Sequence, residues 1–301
     1  MLVAITGASG FIGSCTVRAL HAAGHRVRAL VRPTSRRDHI EAFVSEWREG
    51  DVAEPQTAAA LVAGVEAVIH DAADWDALRR SPQTNFERNV LASLRLLDQS
   101  RQANVEQFLF VSSVAVYHTI LPGAGGKIDE THPTWPSSIY GAYKASIEPH
   151  LVAYHQAYGM NASSWRPAAV YGVDPKLEKS QWFDLIRAAK QGGTIDTPHG
   201  GKITHVQDVA DALVLALGDE STAGQFYNLV DGYMYWQLAA EFAKEISGSS
   251  ATIIDRSGAG PKNHFITTKA TDFFDRHGNK TALRRGVEGV RAYVAELLAR
   301  L

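Results

Sequence analysis

The sequence predicts an α/β fold built on a doubly wound parallel sheet, with a smaller C-terminal lobe. Three observations support this prediction. Short apolar segments alternate with helix-like segments through the first half of the chain, which is the order that right-handed βαβ units produce. The segment 108–112 is nearly all apolar, as expected for a strand covered on both faces of its sheet. Glycines at 7, 10 and 13 directly follow the first apolar segment.

The first half of the chain supplies the elements in order. Strands are predicted at 2–6, 26–31, 67–70, 108–112 and 162–166, and helices at 10–23, 58–62, 89–103 and 140–158. Gly24 ends the first helix as a C-cap, because glycine adopts the left-handed conformation easily. Pro149 is expected to kink or split the last helix, because proline removes a helical hydrogen bond. The stretch 117–136 is rich in glycine and proline and is predicted to be a loop.

The C-terminal half is less regular. Turns are expected at Gly192-Gly193 and Gly200-Gly201, and helices at 207–217, 235–246 and 286–298. We therefore expect residues 1–172 to form the sheet domain, with the sheet completed by part of 195–230, and residues 173–301 to form mainly the second lobe.

The composition is that of an ordinary globular protein. The formal net charge is −2, so no strong field favours nucleic acid or a membrane surface. The single cysteine, Cys15, excludes an internal disulfide and is typical of a reducing cytoplasm. No apolar run reaches the roughly 18 residues of a membrane span, and the predicted strand at Leu2 leaves no room for a signal peptide. The histidines show no ligand spacing, so no metal site is predicted. We expect a cytoplasmic protein that acts on a small molecule.

The segment 6–13, Thr-Gly-Ala-Ser-Gly-Phe-Ile-Gly, has the pattern of a phosphate-binding loop. Its first glycine permits a sharp turn, the second lets backbone N–H groups approach a phosphate, and the third lets the helix pack closely on the sheet. The helix N-terminus presents free N–H donors and a partial positive charge to a pyrophosphate. A glycine-rich turn without a ligand is the alternative. The predicted dinucleotide-binding residues are Gly7, Ser9, Gly10, Phe11, Ile12 and Gly13.

The end of the second strand indicates which cofactor is bound. NAD sites place an acidic residue there, about 20 residues after the glycine loop, whereas this chain has Arg32. A guanidinium can bind the 2′-phosphate of NADP, which a carboxylate would repel. We therefore predict NADP, with NAD as the alternative, and Arg36 and Arg37 add positive charge. Asp51 and Val52 follow another predicted strand, where Asp51 can accept a hydrogen bond from adenine or simply form a turn.

Tyr140 and Lys144 stand four residues apart in a predicted helix and so share one of its faces. A phenol has an ordinary pKa of about 10, and a nearby ammonium group favours its ionised form. Lys144 can also bind the nicotinamide ribose. Ser113, at the end of the fourth strand, can hold a substrate oxygen beside Tyr140. These residues predict proton transfer coupled to hydride transfer.

Together these motifs resemble the extended short-chain dehydrogenases/reductases, within the NAD-dependent epimerase/dehydratase group. The resemblance covers about residues 1–230 and consists of the motifs at 6–13, 50–52, 68–73, 89–90, 112–117, 140–144, 166–172 and 205–210. It implies that the first domain is a Rossmann-type dinucleotide-binding domain and that the second lobe binds substrate. It also implies a homodimer through helices near 89–103 and 140–158. Its implied catalytic residues are Ser113, Tyr140, Lys144 and Asn89, and its further cofactor contacts are Ala72, Ala73 and Pro167.

Two departures from the family pattern bear on the substrate. Relatives that act on nucleotide sugars often place an arginine shortly before the His205-Val206 motif, where this chain has Lys202 instead. Their later Arg-Pro-Gly-Asp-like segment is also absent, and residues 260–264 take its place. Our first hypothesis is therefore an NADP-dependent reductase or dehydrogenase acting on a ketone or secondary alcohol. A nucleotide-sugar epimerase or dehydratase with retained cofactor is the alternative. A regulatory protein that only binds cofactor is a third, which the presence of Tyr140 and Lys144 disfavours.

Three residues are candidate substrate contacts. His118 replaces the glycine usual at its motif position and is expected at the substrate pocket, although a solvent-exposed loop histidine is equally compatible with the sequence. Trp75 and Trp135 lie in the two predicted loops nearest the active site. A short aromatic pocket formed by all three would favour a small carbonyl substrate.

Overall fold

The computed structural model describes residues 1–118, 120–258, 260–261 and 263–301. Its strands are β1 (Leu2–Thr6), β2 (Arg26–Val31), β3 (Glu46–Glu49), β4 (Ala67–His70), β5 (Gln107–Val111), β6 (Lys127–Ile128), β7 (Asn161–Pro167), β8 (Ala169–Tyr171), β9 (Thr194–Ile195), β10 (Gly200–His205), β11 (Phe226–Leu229), β12 (Gly232–Tyr235), β13 (Thr252–Ile253) and β14 (His264–Phe265). Its helices are α1 (Phe11–Ala22), α2 (Pro55–Val62), α3 (Trp75–Arg80), α4 (Pro82–Asn85), α5 (Ala92–Gln102), α6 (Ile139–Tyr158), α7 (Phe183–Lys190), α8 (Val206–Leu215), α9 (Gln237–Ser247), α10 (Thr268–Arg276) and α11 (Gly286–Leu298).

A seven-stranded parallel sheet forms the centre of the molecule, in the order β11-β7-β5-β4-β1-β2-β3. The chain begins at β1, builds outward through β2 and β3, and then returns to place β4 on the other side of β1. The strand order therefore reverses between β1 and β4, and ligands of open α/β sheets bind at the carboxyl ends of the strands at such a point. The predicted doubly wound α/β fold is confirmed.

Helices cover both faces of this sheet, which explains its uninterrupted apolar strands. One face packs residues of α1, α8 and α10 against the strands, and the opposite face packs residues of α2, α5 and α6. β1 and β5 are buried along their whole length. Burial on both sides removes the polar alternation that a one-sided sheet would show.

The second lobe has its own core, formed mainly by α7, α9 and α11. A smaller sheet adjoins this core. In it, β10 pairs in parallel with β8 and antiparallel with β12. Parts of the C-terminal half also return to the main sheet: β11 is its edge strand, and α10 buries Phe273 and Phe274 in the main core. The domain boundary after residue 172 stays a prediction.

Four local predictions differ from the structure. Pro149 does not split α6, because turns on both sides of it bury Ile147 and Leu151 in the core. The predicted turn at Gly200-Gly201 is the start of β10 instead. Glycine is needed at residue 200 because a Cβ there would lie 2.8 Å from the backbone carbonyl oxygen of Met234, on the partner strand.

The other two differences concern the start of a predicted helix and a strand that lies within a predicted loop. The helix predicted at 89–103 begins as a wider, π-helical turn over Phe86–Leu91 before α5 starts. The predicted loop 117–136, in which Thr119 lies outside the described residues, contains β6, which pairs with the distant β14. No local pattern signals a pairing partner so far along the chain.

Candidate active site

A cavity of about 730 Å³ runs along the carboxyl ends of the central strands. Most of the residues predicted to bind a dinucleotide line it: Gly7, Ser9, Gly10, Phe11, Ile12, Arg32, Asp51, Val52, Ala72, Ala73, Tyr140, Lys144 and Pro167. Gly13 is the exception, because it faces the loop rather than the cavity. A Cβ on Gly13 would lie 2.1 Å from the carbonyl oxygen of Gly7, so this position needs glycine for packing.

The glycine-rich loop leaves the start of α1 open toward this cavity. Gly7 has a φ of +74°, which favours glycine, and its carbonyl accepts a bond from the N–H of Gly10 at 2.9 Å. Gly10 is the N-cap residue of α1 and has no side chain that could accept a hydrogen bond from the first N–H groups of the helix. The N–H groups of Phe11 and Ile12, the first two of α1, are therefore available to an anion. These features fit a dinucleotide pyrophosphate.

The end of the cavity lined by Asp51 contains an ion-pair group that sequence reasoning missed. Arg88 pairs with Asp51 and, at 2.6 Å, with Asp74. Asp74 is also the N-cap of α3, where it accepts the N–H of Ala77 at 2.9 Å. Asp51 is thus held by a guanidinium at the cavity wall. In the sequence, the only indication of these ion pairs is that Arg88 directly precedes Asn89, which belongs to one of the motifs.

The three arginines predicted near the 2′-position differ in their partners. Arg32 and Arg36 line the cavity, whereas Arg37 does not. Arg36 forms a two-pronged pair with Asp38, at 2.7 and 2.8 Å. Arg37 pairs with Glu49 at 2.7 Å. Arg32 has no ion pair among the described residues and is the cation of this group most available to a ligand.

The proton-transfer residues meet where α6 begins. Ser138 caps α6 by accepting the N–H of Gly141 at 3.0 Å. A Cβ on Gly141 would lie 2.5 Å from the carbonyl oxygen of Ala115, so the lack of a side chain lets α6 approach the turn that follows β5. This approach places Tyr140 beside Ser113. Burial raises the pKa of Tyr140 to about 12, and a bond with the Ser113 hydroxyl opposes that rise.

Lys144 lies one helical turn beyond Tyr140 and is buried. Its Nζ donates to the carbonyl oxygen of Val111 at 2.7 Å and lies 5.8 Å from the Tyr140 ring centroid. Burial lowers the pKa of Lys144, and the carboxylates of Asp71 and Glu148 act against that shift. The predicted shared helix face of Tyr140 and Lys144 is therefore present in the structure.

A second cavity of about 450 Å³ adjoins the first one. Ser113, Tyr140 and Ala168 line both cavities, so the predicted catalytic hydroxyls lie where the two spaces meet. The walls of the second cavity are mostly apolar, with polar groups from His118, Lys202 and Asn263. Lys202 donates to the side chain of Asn263. Lys262, in the same segment, lies outside the described residues.

The three candidate substrate residues do not form one pocket. Trp75 lines the first cavity and His118 the second. Trp135 lines neither cavity and is 52% exposed. The short aromatic pocket that would favour a small carbonyl substrate is therefore not formed by these three residues together, because they lie on separate segments that the fold directs to different places.

Asn89 lines the first cavity, but its side chain is occupied by structural bonds. Its Oδ1 accepts the N–H of Asp74 at 2.7 Å, and its Nδ2 donates to the Asp74 carbonyl and to Asn85, both at 3.0 Å. Asn89 thus holds the segment after β4 in place. Its geometry is that of a positioning residue rather than of a group free to contact substrate.

The described residues lack the features of two other kinds of site. They contain no group of three or more histidine, cysteine, aspartate or glutamate side chains that could hold a metal ion. Their helices include none with the length and apolar character required to cross a membrane.

A parallel sheet with a glycine-rich loop at its switch point, beside a large cavity, defines a dinucleotide-binding enzyme. The model of the NAD dependent epimerase/dehydratase family matches residues 3–229. The chain belongs to this family, as its motifs predicted.

Individual relatives differ in the reactions that their names describe. The UDP-glucose 4-epimerase of Corynebacterium glutamicum is 28% identical, and the alignment covers 99% of this chain and 97% of that protein. The 4-hydroxy-2-methyl-3-oxo-4-farnesyl-3,4-dihydroquinoline-1-oxide ketoreductase of Stigmatella aurantiaca is 31% identical, over 76% of this chain and 67% of that protein. The structure of the Thermus thermophilus UDP-glucose 4-epimerase, in complex with NAD, has a TM-score of 0.77 at 25% identity, and the match covers 100% of both chains. The relatives of this chain thus include epimerases and a ketoreductase.

Proposed function

We propose that this enzyme interconverts a small ketone and its secondary alcohol, using NADP(H) as the hydride carrier. The observation that carries this proposal is the position of Ser113 and Tyr140, which line both the cofactor-sized cavity and the adjoining one. A carbonyl in the second cavity can reach both hydroxyls at the boundary with the first. Hydride and proton transfer require this arrangement.

Tyr140, Ser113 and Lys144 each have a separate role in the proposed reduction. A reduced nicotinamide held in the first cavity would supply the hydride for the carbonyl carbon and would itself be oxidised. The Tyr140 hydroxyl donates its proton to the carbonyl oxygen, while the Ser113 hydroxyl donates a hydrogen bond to the same oxygen and stabilises its developing charge. Lys144 holds a positive charge close to the phenol, which stabilises the phenolate left after proton transfer.

The second cavity supports a compact substrate. Apolar side chains such as Val114, Ile128 and Phe265 form much of its wall, and no arginine lines it among the described residues. A nucleotide diphosphate favours the two-pronged bonds of a guanidinium. Lys202 offers a single charge instead and already bonds Asn263. A ketone with a mainly apolar body fits these walls best.

Arg32 supports NADP as the preferred cofactor. It lies at the end of β2, lines the cavity, and has no ion pair among the described residues, so its guanidinium is available to a 2′-phosphate. The related Thermus thermophilus enzyme is in complex with NAD. The preference for NADP is therefore proposed for this chain from its own Arg32 and is not taken from that relative.

The apolar side chains on two helical segments support a homodimer. Leu91, Ile139 and Tyr158 are exposed large hydrophobic residues at or near the ends of α5 and α6. We place the dimer contact along these helices, and the lone buried Cys15 fits a reducing cytoplasm. Light scattering on the purified protein measures the subunit number directly.

An epimerase that retains its cofactor is the second candidate, favoured by the similarity to UDP-glucose 4-epimerases over nearly the whole chain. One experiment separates the two functions. The purified protein is mixed with NADPH or NADH and a panel of aliphatic and aromatic ketones, and separately with UDP-glucose alone. We expect ketone-dependent loss of NADPH absorbance, which Tyr140→Phe abolishes. Conversion of UDP-glucose without any ketone reduction overturns the proposal.

A further inference from the structure

Lys202 is a charged residue of the second cavity to which the mechanism above assigns no role. It lies on β10 and lines the second cavity but not the first, so its partner is a group of the substrate rather than of the cofactor. Lys202 directly precedes Ile203, which pairs with Ala169 of β8. Ala168, which directly precedes Ala169, lines both cavities. Because paired strands lie about 5 Å apart, Lys202 is close to the boundary between the cavities.

The charge of Lys202 is not balanced by the residues around it. Its Nζ donates to the side-chain oxygen of Asn263 and lies 5.7 Å from the ring centroid of Tyr233, and both of these partners are uncharged. No aspartate or glutamate of the described residues lines the second cavity. Burial lowers the pKa of Lys202, and no carboxylate opposes that shift. A partly buried ammonium without a counter-ion favours a ligand that brings a negative charge.

The hydrogen-bond donors at this position match a carboxylate. An ammonium group has three N–H donors, and Asn263 accepts one of those of Lys202. The Asn263 amide is thereby held through its oxygen, while its Nδ2 has no acceptor among the described residues. The ammonium and the amide together can donate to both oxygens of one carboxylate. A diphosphate is bound best by guanidinium groups, and no arginine of the described residues lines this cavity.

The rest of the second cavity suits a carbon chain. Ile120, Ile128 and Phe265 are among the apolar side chains that line it, and its volume is about 450 Å³. Apolar walls cannot solvate a carboxylate, so a charged group of the substrate is stable beside Lys202 and unstable elsewhere along them. The cavity thus combines one cationic position with space for a compact apolar body.

We propose that Lys202 and Asn263 form a carboxylate subsite, and that the substrate is therefore a keto acid or the corresponding hydroxy acid. This inference rests on the proposed function, because it places the carbonyl of the same molecule at Ser113 and Tyr140. The carboxylate is bound and is not changed chemically. Lys202 is thus a residue that determines specificity, whereas Ser113 and Tyr140 act on the reacting carbonyl.

The first test compares keto acids of graded chain length with their primary amides, which have nearly the same shape but no charge. For the best acid, we expect the wild type to show a kcat/KM about ten- to a hundredfold higher than for its amide, since a charged hydrogen bond is lost in the amide. Lys202→Met should abolish this preference, mainly by raising KM for the acid. Lys202→Arg retains the charge and should retain most of the preference.

Lys127→Met is the matched control. Lys127 is an exposed lysine directly before Ile128, and it lines neither cavity. Its substitution is expected to leave the ratio of acid to amide unchanged. Equal kcat/KM values for acids and amides in the wild type overturn the inference but leave the proposed ketone reduction intact. A preference for acids that persists in Lys202→Met also overturns it.

A second measurement does not depend on turnover. Isothermal titration calorimetry, with NADP⁺ present, measures the binding of saturated carboxylic acids, of their amides and of UDP to the wild type and to Lys202→Met, with Lys202→Gln as a second variant if the first does not fold. Acid binding that is tighter than amide binding and depends on Lys202 supports the inference even if no ketone is reduced. Equal affinities of acid and amide overturn it even if neutral ketones are reduced. Lys202-dependent binding of UDP that is tighter than that of any acid also overturns it, because Lys202 would then serve a diphosphate.

Discussion

The indole of Trp75 stacks on the ring of Tyr140, with ring centroids 5.0 Å apart and planes 20° from parallel. Trp75 is the first residue of α3 and is 53% exposed, so the indole lies between the phenol and solvent. Burial is the main cause of the raised pKa of Tyr140. The stacked indole therefore both orients the proposed proton donor and limits its contact with water.

Removal of this stack is expected to impair catalysis more than stability. A stacked aromatic pair contributes about 0.5–1.5 kcal/mol beyond its buried area, so Trp75→Ala should lower kcat/KM for ketone reduction about three- to tenfold. Trp75→Phe should retain most of the activity. Trp135→Ala is the matched control, because Trp135 is equally exposed but lines neither cavity. Equal losses in the Trp75 and Trp135 variants would contradict the prediction.

Asn89→Ala is expected to destabilise the protein and to impair the site indirectly. The substitution leaves the N–H of Asp74 without its acceptor at 2.7 Å and the side-chain oxygen of buried Asn85 without its donor at 3.0 Å, whereas the Asp74 carbonyl keeps the N–H of Leu78 at 3.2 Å. An unpaired buried polar group costs about 1–3 kcal/mol, so the free energy of unfolding should fall by about that amount in urea denaturation. Gln83→Ala is the control, because the Gln83 amide bonds only the exposed Glu87 among the described residues. A fully stable Asn89→Ala protein with lost activity would instead indicate direct contact with substrate.

The helix positions of Tyr140 and Lys144 could be predicted because residues four apart always share a helix face. The strands at 2–6, 26–31 and 67–70 have the predicted bounds, since burial on both faces makes them continuous apolar segments. The partners of Arg88 and Lys202 could not be predicted, because their contacts join segments that lie far apart in the sequence. The separation of Trp75, His118 and Trp135 likewise depends on how loops are directed by the fold.

Arg32→Ala is expected to change cofactor preference. A charge-assisted, two-pronged bond contributes about 1.5–3 kcal/mol, so the Kd for NADPH should rise about ten- to a hundredfold while the Kd for NADH changes little. Arg36→Ala is the matched control, since Arg36 lines the same cavity but is held by Asp38. Titration of nicotinamide fluorescence measures both constants. Tighter binding of NADH than NADPH by the wild type would contradict the assignment of Arg32.

The stability of the protein is expected to depend on pH through His70. The Thr6 hydroxyl, which accepts the N–H of Ala72, can donate to Nδ1 of His70, while Ser93 donates to the Asn89 carbonyl and accepts from Nε2. These bonds fit a neutral imidazole, and burial lowers its pKa to about 3, below the ordinary value of 6.5. Between these values the unfolded chain binds a proton that the folded protein does not bind.

The free energy of unfolding must therefore rise with pH through this window, and acidification below the ordinary histidine pKa must destabilise the fold. The slope from one such group reaches about 1.4 kcal/mol per pH unit in the middle of the window. His70→Asn is expected to be less stable at all pH values, because it loses hydrogen bonds. Its free energy of unfolding should nevertheless change less steeply with pH, since one proton fewer is bound on unfolding. His205→Asn is a useful comparison, since burial lowers the pKa of His205 to about 4 and its window is narrower. Urea denaturation at several pH values measures the slopes, and an undiminished slope in His70→Asn would show that His70 is protonated in the folded protein.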